Sequence, residues 1–126
     1  NFGLHDLRLM PNGQPQVALD EYERNLRSLV ARLKQTGARL IWASTTPVPD
    51  GRLNPPRRNA DVIAYNAVAK KVMEENGIPI NDLYACALPR LAELQRPANV
   101  HFTPEGSEKL ADEVTKSILL ALKPGI

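Results

Sequence analysis

Proline and glycine cut this chain into short periodic pieces, and that punctuation leaves it few ways to fold. Eleven prolines are spread over 126 residues, with Pro47, Pro49, Pro55 and Pro56 crowded into one segment and most others beside segment ends. Proline lacks an amide hydrogen and disfavours helix in the residue before it, so each one marks a boundary. Between the boundaries the spacing predicts helices. Over residues 19–36, Tyr22, Leu26, Leu29, Val30 and Leu33 recur three and four apart, Asp20, Glu21 and Glu23 stand in the first turn, and Gly37 follows the end. Over 60–76, Val62, Tyr65, Ala69, Val72 and Met73 form one stripe, Asn59 is placed to cap it, and Asn76-Gly77 to stop it. A third helix, 82–95, opens near Asp82 and carries Leu83, Ala87, Leu91 and Leu94, with Pro89 kinking or restarting it. A fourth starts from Thr103 as N-cap with Pro104 at its first position. There Leu110, Ala111, Val114, Ile118 and Leu122 share a face as far as Lys123-Pro124.

Two short apolar segments, residues 38–44 and 78–81, lie between these helices and have the length of buried strands. Residues 1–4 read as the last residues of an earlier strand. Alternating helix and strand predicts a single α/β domain over 1–126, with βαβ units, a parallel sheet and helices on both its faces. The balance of 43% hydrophobic and 24% charged residues fits one such domain, and no run approaches the roughly 18 apolar residues of a membrane span. A formal charge of +2 without clusters gives no footprint for nucleic acid. Cys86, the one cysteine, cannot form an internal disulfide and assigns no redox compartment.

In parallel sheets of this kind ligands bind beyond the carboxyl ends of the strands. Residues 3–7, 44–58 and 81–84 converge there, and the loop 96–103 returns to the same rim. That loop holds Asn99-Val100-His101-Phe102-Thr103-Pro104-Glu105-Gly106, which sets His101 two residues before a helix N-cap. The positive end of the helix suits the neutral imidazole that a general base needs. The plainer alternative is a loop histidine packed against the helix.

Gly3-Leu4-His5-Asp6, the strand end Ser44-Thr45-Thr46-Pro47, Tyr65-Asn66 and Val100-His101-Phe102-Thr103-Pro104-Glu105-Gly106 together resemble, in order and spacing, the SGNH (GDSL) hydrolase family. The resemblance implies a flavodoxin-like, doubly wound parallel sheet and ester hydrolysis. The family uses a serine after the first strand, a glycine after the second, an asparagine in a Gly-x-Asn-Asp block, and an Asp-x-x-His block before the last helix. Only the last two blocks have counterparts here, so the chain resembles roughly the C-terminal three-fifths of such a domain. The expectation is an N-terminally incomplete fold whose nucleophilic serine lies outside the segment.

Within the matched part, His5 occupies the asparagine slot, where an imidazole N–H can still donate to an oxyanion. Ala98 and Asn99 stand where the aspartate is expected, and neither carries the charge that stabilises an imidazolium. Asn99 could orient His101, or Asp6 could approach it; Asp6 could equally stiffen the turn that aims His5 or simply be solvated. His101, His5, Asp6 and Asn99 are thus the candidate catalytic residues. The implied substrate is a small acyl ester, including O-acetylated carbohydrate, and the mechanism needs no metal or organic cofactor.

Other residues read more plainly. Ser44 lacks the strained turn that exposes a nucleophile. His5 and His101 could form a two-histidine metal site, but no carboxylate or thiol is placed to complete it. Arg52, Arg57 and Arg58 could meet an acidic or carbohydrate substrate or be merely solvated. Cys86 and Trp42 read as core. The second functional reading is a catalytically incomplete module that pairs an exposed sheet edge with another chain, as a homodimer or with a complementing N-terminal fragment.

Overall fold

The computed structural model describes residues 1–123. Its elements are α1 (Gly3–Asp6), α2 (Leu19–Lys34), β1 (Trp42–Ala43), α3 (Asn59–Glu75), β2 (Ile80–Asn81), α4 (Leu83–Ala87), a 3-10 turn (Leu88–Arg90), α5 (Leu91–Leu94) and α6 (Pro104–Leu122). The predicted stripes of α2 and α3 meet each other: Tyr22, Leu26 and Val30 are buried with Val62, Tyr65, Ala69, Val72 and Met73. The Tyr22 and Tyr65 rings lie 4.9 Å apart and tilted by 46°. The α1 turn packs on α3, while α4 and α5 pack on α6, and α6 lies against β2.

Pro89 interrupts the third predicted helix as its chemistry requires, dividing it into α4, the 3-10 turn and α5. Asp82 caps α4 by accepting from the Ala85 N–H at 3.1 Å. Thr103 caps α6, its hydroxyl accepting from the Gly106 N–H at 3.1 Å. Of the predicted stop at Lys123-Pro124, Pro124 lies outside the described residues. Asn59 does not cap α3; it is the first helical residue. Its side chain instead accepts from the Val48 N–H at 3.2 Å and donates to the Tyr84 hydroxyl at 2.9 Å, joining the proline-rich loop to the segment after β2.

The two predicted strands pair in parallel, Trp42 opposite Ile80 and Ala43 opposite Asn81, and the ladder is shorter than expected. The end of α3 explains why. Gly77, at φ +66°, closes a Schellman cap in which the Ile78 N–H bonds the Met73 carbonyl at 2.9 Å and the Gly77 N–H bonds that of Glu74 at 3.1 Å. Ile78 has spent its donor on the helix and Pro79 has none, so pairing begins only around Ile80. The architecture is α/β, with a two-stranded parallel ladder among the described residues.

Residues 1–4 are not a strand end. The Phe2 carbonyl accepts from the His5 N–H at 2.9 Å and the Gly3 carbonyl from the Leu7 N–H at 2.9 Å, which makes a single helical turn. Gly3 allows that turn to sit on the end of β1. A Cβ there would come within 2.1 Å of the Thr45 hydroxyl.

Candidate active site

Three segments wall a cavity of about 260 Å³: the α1 turn, the loop 46–58 and the loop 96–103. Each is fixed by bonds between side chain and backbone. The α1 turn is held by Gly3 against Thr45, by fully buried Leu7, and by the Arg57 guanidinium, whose Nε donates to the Leu4 carbonyl at 2.6 Å. Val48 and Leu53 anchor the proline-rich loop in the core. Buried Gln95 spans two walls, donating to the Pro47 carbonyl at 3.0 Å and the Val100 carbonyl at 3.2 Å.

His5, Asn99 and His101 all line this cavity. The Asn99 side-chain oxygen accepts from the His101 backbone N–H at 2.9 Å and lies 2.6 Å from His101 Nδ1. Because a backbone N–H must donate, the Asn99 atom facing the ring is the carbonyl oxygen and not the amide nitrogen. The ring therefore carries a hydrogen on Nδ1, and in its neutral form the lone pair falls on Nε2. Asn99 thus holds the ring by a hydrogen bond and brings no negative charge to it. Ala98, at φ +50°, occupies a left-handed conformation that L-residues other than asparagine and aspartate rarely adopt.

Asp6 stands apart from that group and does not line the cavity. Burial raises its pKa, His5 lowers it and Glu21 raises it. It lies near the two core tyrosines: burial and then the Asp6 charge push Tyr22 up, while Tyr65, which donates to the Val17 carbonyl, is pushed up to about 12 by burial, Asp61 and Asp6. None of the chain's serines (Ser28, Ser44, Ser107, Ser117) lines the cavity either. Ser44 is a fastener: its hydroxyl donates to Asp82 at 2.9 Å and accepts from the Tyr84 N–H at 2.9 Å. Trp42 and Cys86 are half-buried, Trp42 lining a second, largely apolar cavity of about 610 Å³ beside α3.

The three arginines of the loop have separate fates. Arg52 is exposed, Arg58 pairs with Asp61 at 2.7 Å, and Arg57 lines the histidine cavity. Gln95 and Asn66, which accepts from the Thr45 N–H and donates to its carbonyl, each at 2.8 Å, are the supporting residues that sequence reasoning missed. Asn66 stood in the matched Tyr65-Asn66 pair, whereas nothing in the pattern around Gln95 signals its part. Among the described residues no group of three or more His, Cys, Asp or Glu is placed to hold a metal, and no helix is long and apolar enough to cross a membrane.

A family model described as GDSL-like lipase/acylhydrolase matches residues 1–109. Among solved structures, the chain is similar to a lipase/acylhydrolase from Enterococcus faecalis, with a TM-score of 0.77 and 24% sequence identity over 98% of this chain. That likeness is one of fold, and the chain spans 61% of the length of that neighbour. No curated protein matches it.

Proposed function

Because the chain belongs to the GDSL-like lipase/acylhydrolase family, we propose that it supplies the histidine side of a serine esterase, the serine lying outside these residues. In this reading the serine hydroxyl attacks the carbonyl carbon of a small acyl ester, O-acetylated carbohydrate included, while His101 Nε2 takes its proton. The tetrahedral intermediate then collapses, and the imidazolium returns that proton to the departing alkoxide; water repeats the sequence on the acyl-enzyme. Asn99 keeps His101 in the required tautomer, and His5 with neighbouring backbone N–H groups donates to the oxyanion. Asp6 acts from behind, on the turn that aims His5. The β1–β2 pair then belongs to a doubly wound, flavodoxin-like sheet, and residues 1–126 to the C-terminal part of one domain.

One observation carries this reading: His5, Asn99 and His101 line one cavity, with the Asn99 oxygen 2.6 Å from Nδ1. The test is p-nitrophenyl acetate hydrolysis by a polypeptide that joins this chain to a serine-bearing segment. His101→Ala should abolish turnover while leaving the circular dichroism unchanged, and His5→Asn should keep most of it. Unchanged turnover in His101→Ala would end the role given to that residue.

A second reading is favoured by a different observation: α6 leaves Ile118, Leu119, Leu120 and Leu122 exposed, and β1 is paired along one edge among the described residues. The chain then acts by pairing with another chain, a second copy or a complementing fragment. Sedimentation velocity tests the second-copy form of this reading, because a strictly monomeric sample at high concentration excludes self-pairing.

A further inference from the structure

Among the described residues no carboxylate pairs with Arg57. Guanidinium carries five N–H donors in a planar fork. Two are engaged, Nε with the Leu4 carbonyl at 2.6 Å and one on Nη1 with the Pro55 carbonyl at 3.2 Å. Carbonyl oxygens orient the fork and do not neutralise it. Burial and the like charge of nearby Arg8 both hold its pKa below the ordinary guanidinium value, and no carboxylate opposes them. The cavity that Arg57 lines contains no aspartate or glutamate. Its polar side chains are otherwise His5, Asn54, Asn99 and His101. The remaining N–H donors of Arg57 and its charge make this cavity wall a place where a small anion is favoured. At about 260 Å³ the space lies below the range of roughly 300–1,000 Å³ typical of drug-sized sites, and so takes only a small ligand.

We propose that Arg57 is the specificity residue of this cavity and that the ester accepted here carries a carboxylate, which the free edge of the guanidinium binds. The proposal rests on the ester-hydrolase reading for the word ester, and on the cavity alone for the word carboxylate. Arg8 reinforces the site electrostatically. Arg58, with the same charge on the neighbouring residue, does not contribute, because Asp61 already neutralises it.

The experiment compares two probes on the 126-residue chain: monomethyl succinate, an anionic ester, and dimethyl succinate, its neutral counterpart. Binding is followed through the ring-proton resonances of His5 and His101, with p-nitrophenyl acetate turnover left out. The anion should bind about tenfold tighter at low salt, the order expected for a charge-assisted contact. Arg57→Gln should bring the two affinities together. A residue that merely clamps Leu4 would change both affinities alike and leave their ratio intact. Should Arg57→Gln fail to fold, Arg8→Gln decides: it should weaken the anion by roughly threefold and spare the neutral ester. Equal affinities, no binding of monomethyl succinate, a preference that survives Arg57→Gln, or an unchanged anion affinity in Arg8→Gln would each overturn the proposal. Failure of the esterase reading appears elsewhere, in turnover that ignores His101, and leaves the anion preference standing.

Discussion

The two longest helices, α3 of 17 residues and α6 of 19, both carry an apolar stripe at helical spacing, and the structure treats them differently. α3 buries five residues and packs on α2, whereas α6 buries only Gly106, at its first turn. Further along α6, Ile118 and Leu122 of the stripe are 46% and 64% exposed. Its last carbonyls are nonetheless held, because Arg39 donates to those of Ala121 and Lys123, a cation at the helix end where the dipole favours it. α6 is therefore fastened at both ends and bare along much of its stripe. An amphipathic pattern states that a surface needs a partner; it does not state that the partner lies within the same 126 residues.

The contrast can be broken most directly at Met73, which is 1% exposed. Met73→Ala should lower unfolding stability by about 2–5 kcal/mol in urea denaturation. A loss below about 1 kcal/mol would remove the distinction between the helices. Gly106→Ala probes the one place where α6 is buried tightly. The new Cβ would meet the Leu94 carbonyl oxygen at 2.1 Å, so a loss of about 1–3 kcal/mol is expected because backbone must move. Thr103→Ala removes the cap that starts α6 and should cost about 1 kcal/mol, read in the same titration. The smallest effect belongs to Leu122→Ser, expected to fall within about 0.5 kcal/mol of the parent. If it costs more than about 1 kcal/mol, and the loss depends on protein concentration, α6 is covered in solution and the two helices are alike after all.

The parts of the fold written in local spacing were legible in the sequence. The stripes of α2 and α3, the Thr103-Pro104 start of α6 and the break at Pro89 depend on residues within a turn or two of each other. The strand lengths were not legible, because the limit on β2 comes from the Schellman bond that takes the Ile78 N–H back to Met73. Residues 1–4 misled for a similar reason: their fate depends on the room beside Thr45, more than forty positions away. In the site, Asn99 and His101 are two residues apart, so their pairing followed from adjacency. The bonds from Arg57 to Leu4 and from Gln95 to Pro47 join residues 53 and 48 positions apart, and no periodicity encodes them.

Asn66 has a consequence for how far a sheet can grow here. Trp42 and Ser44 direct their N–H groups toward the β2 segment, so the intervening Ala43 and the following Thr45 present theirs to the opposite edge. At Thr45 that edge is already filled, since the Asn66 amide accepts from the N–H and donates to the carbonyl as a neighbouring peptide group would. A side chain on α3 thus works as an end-stop. Any strand zipping along β1 from its amino end must halt short of Thr45, which leaves the rim above it to loops.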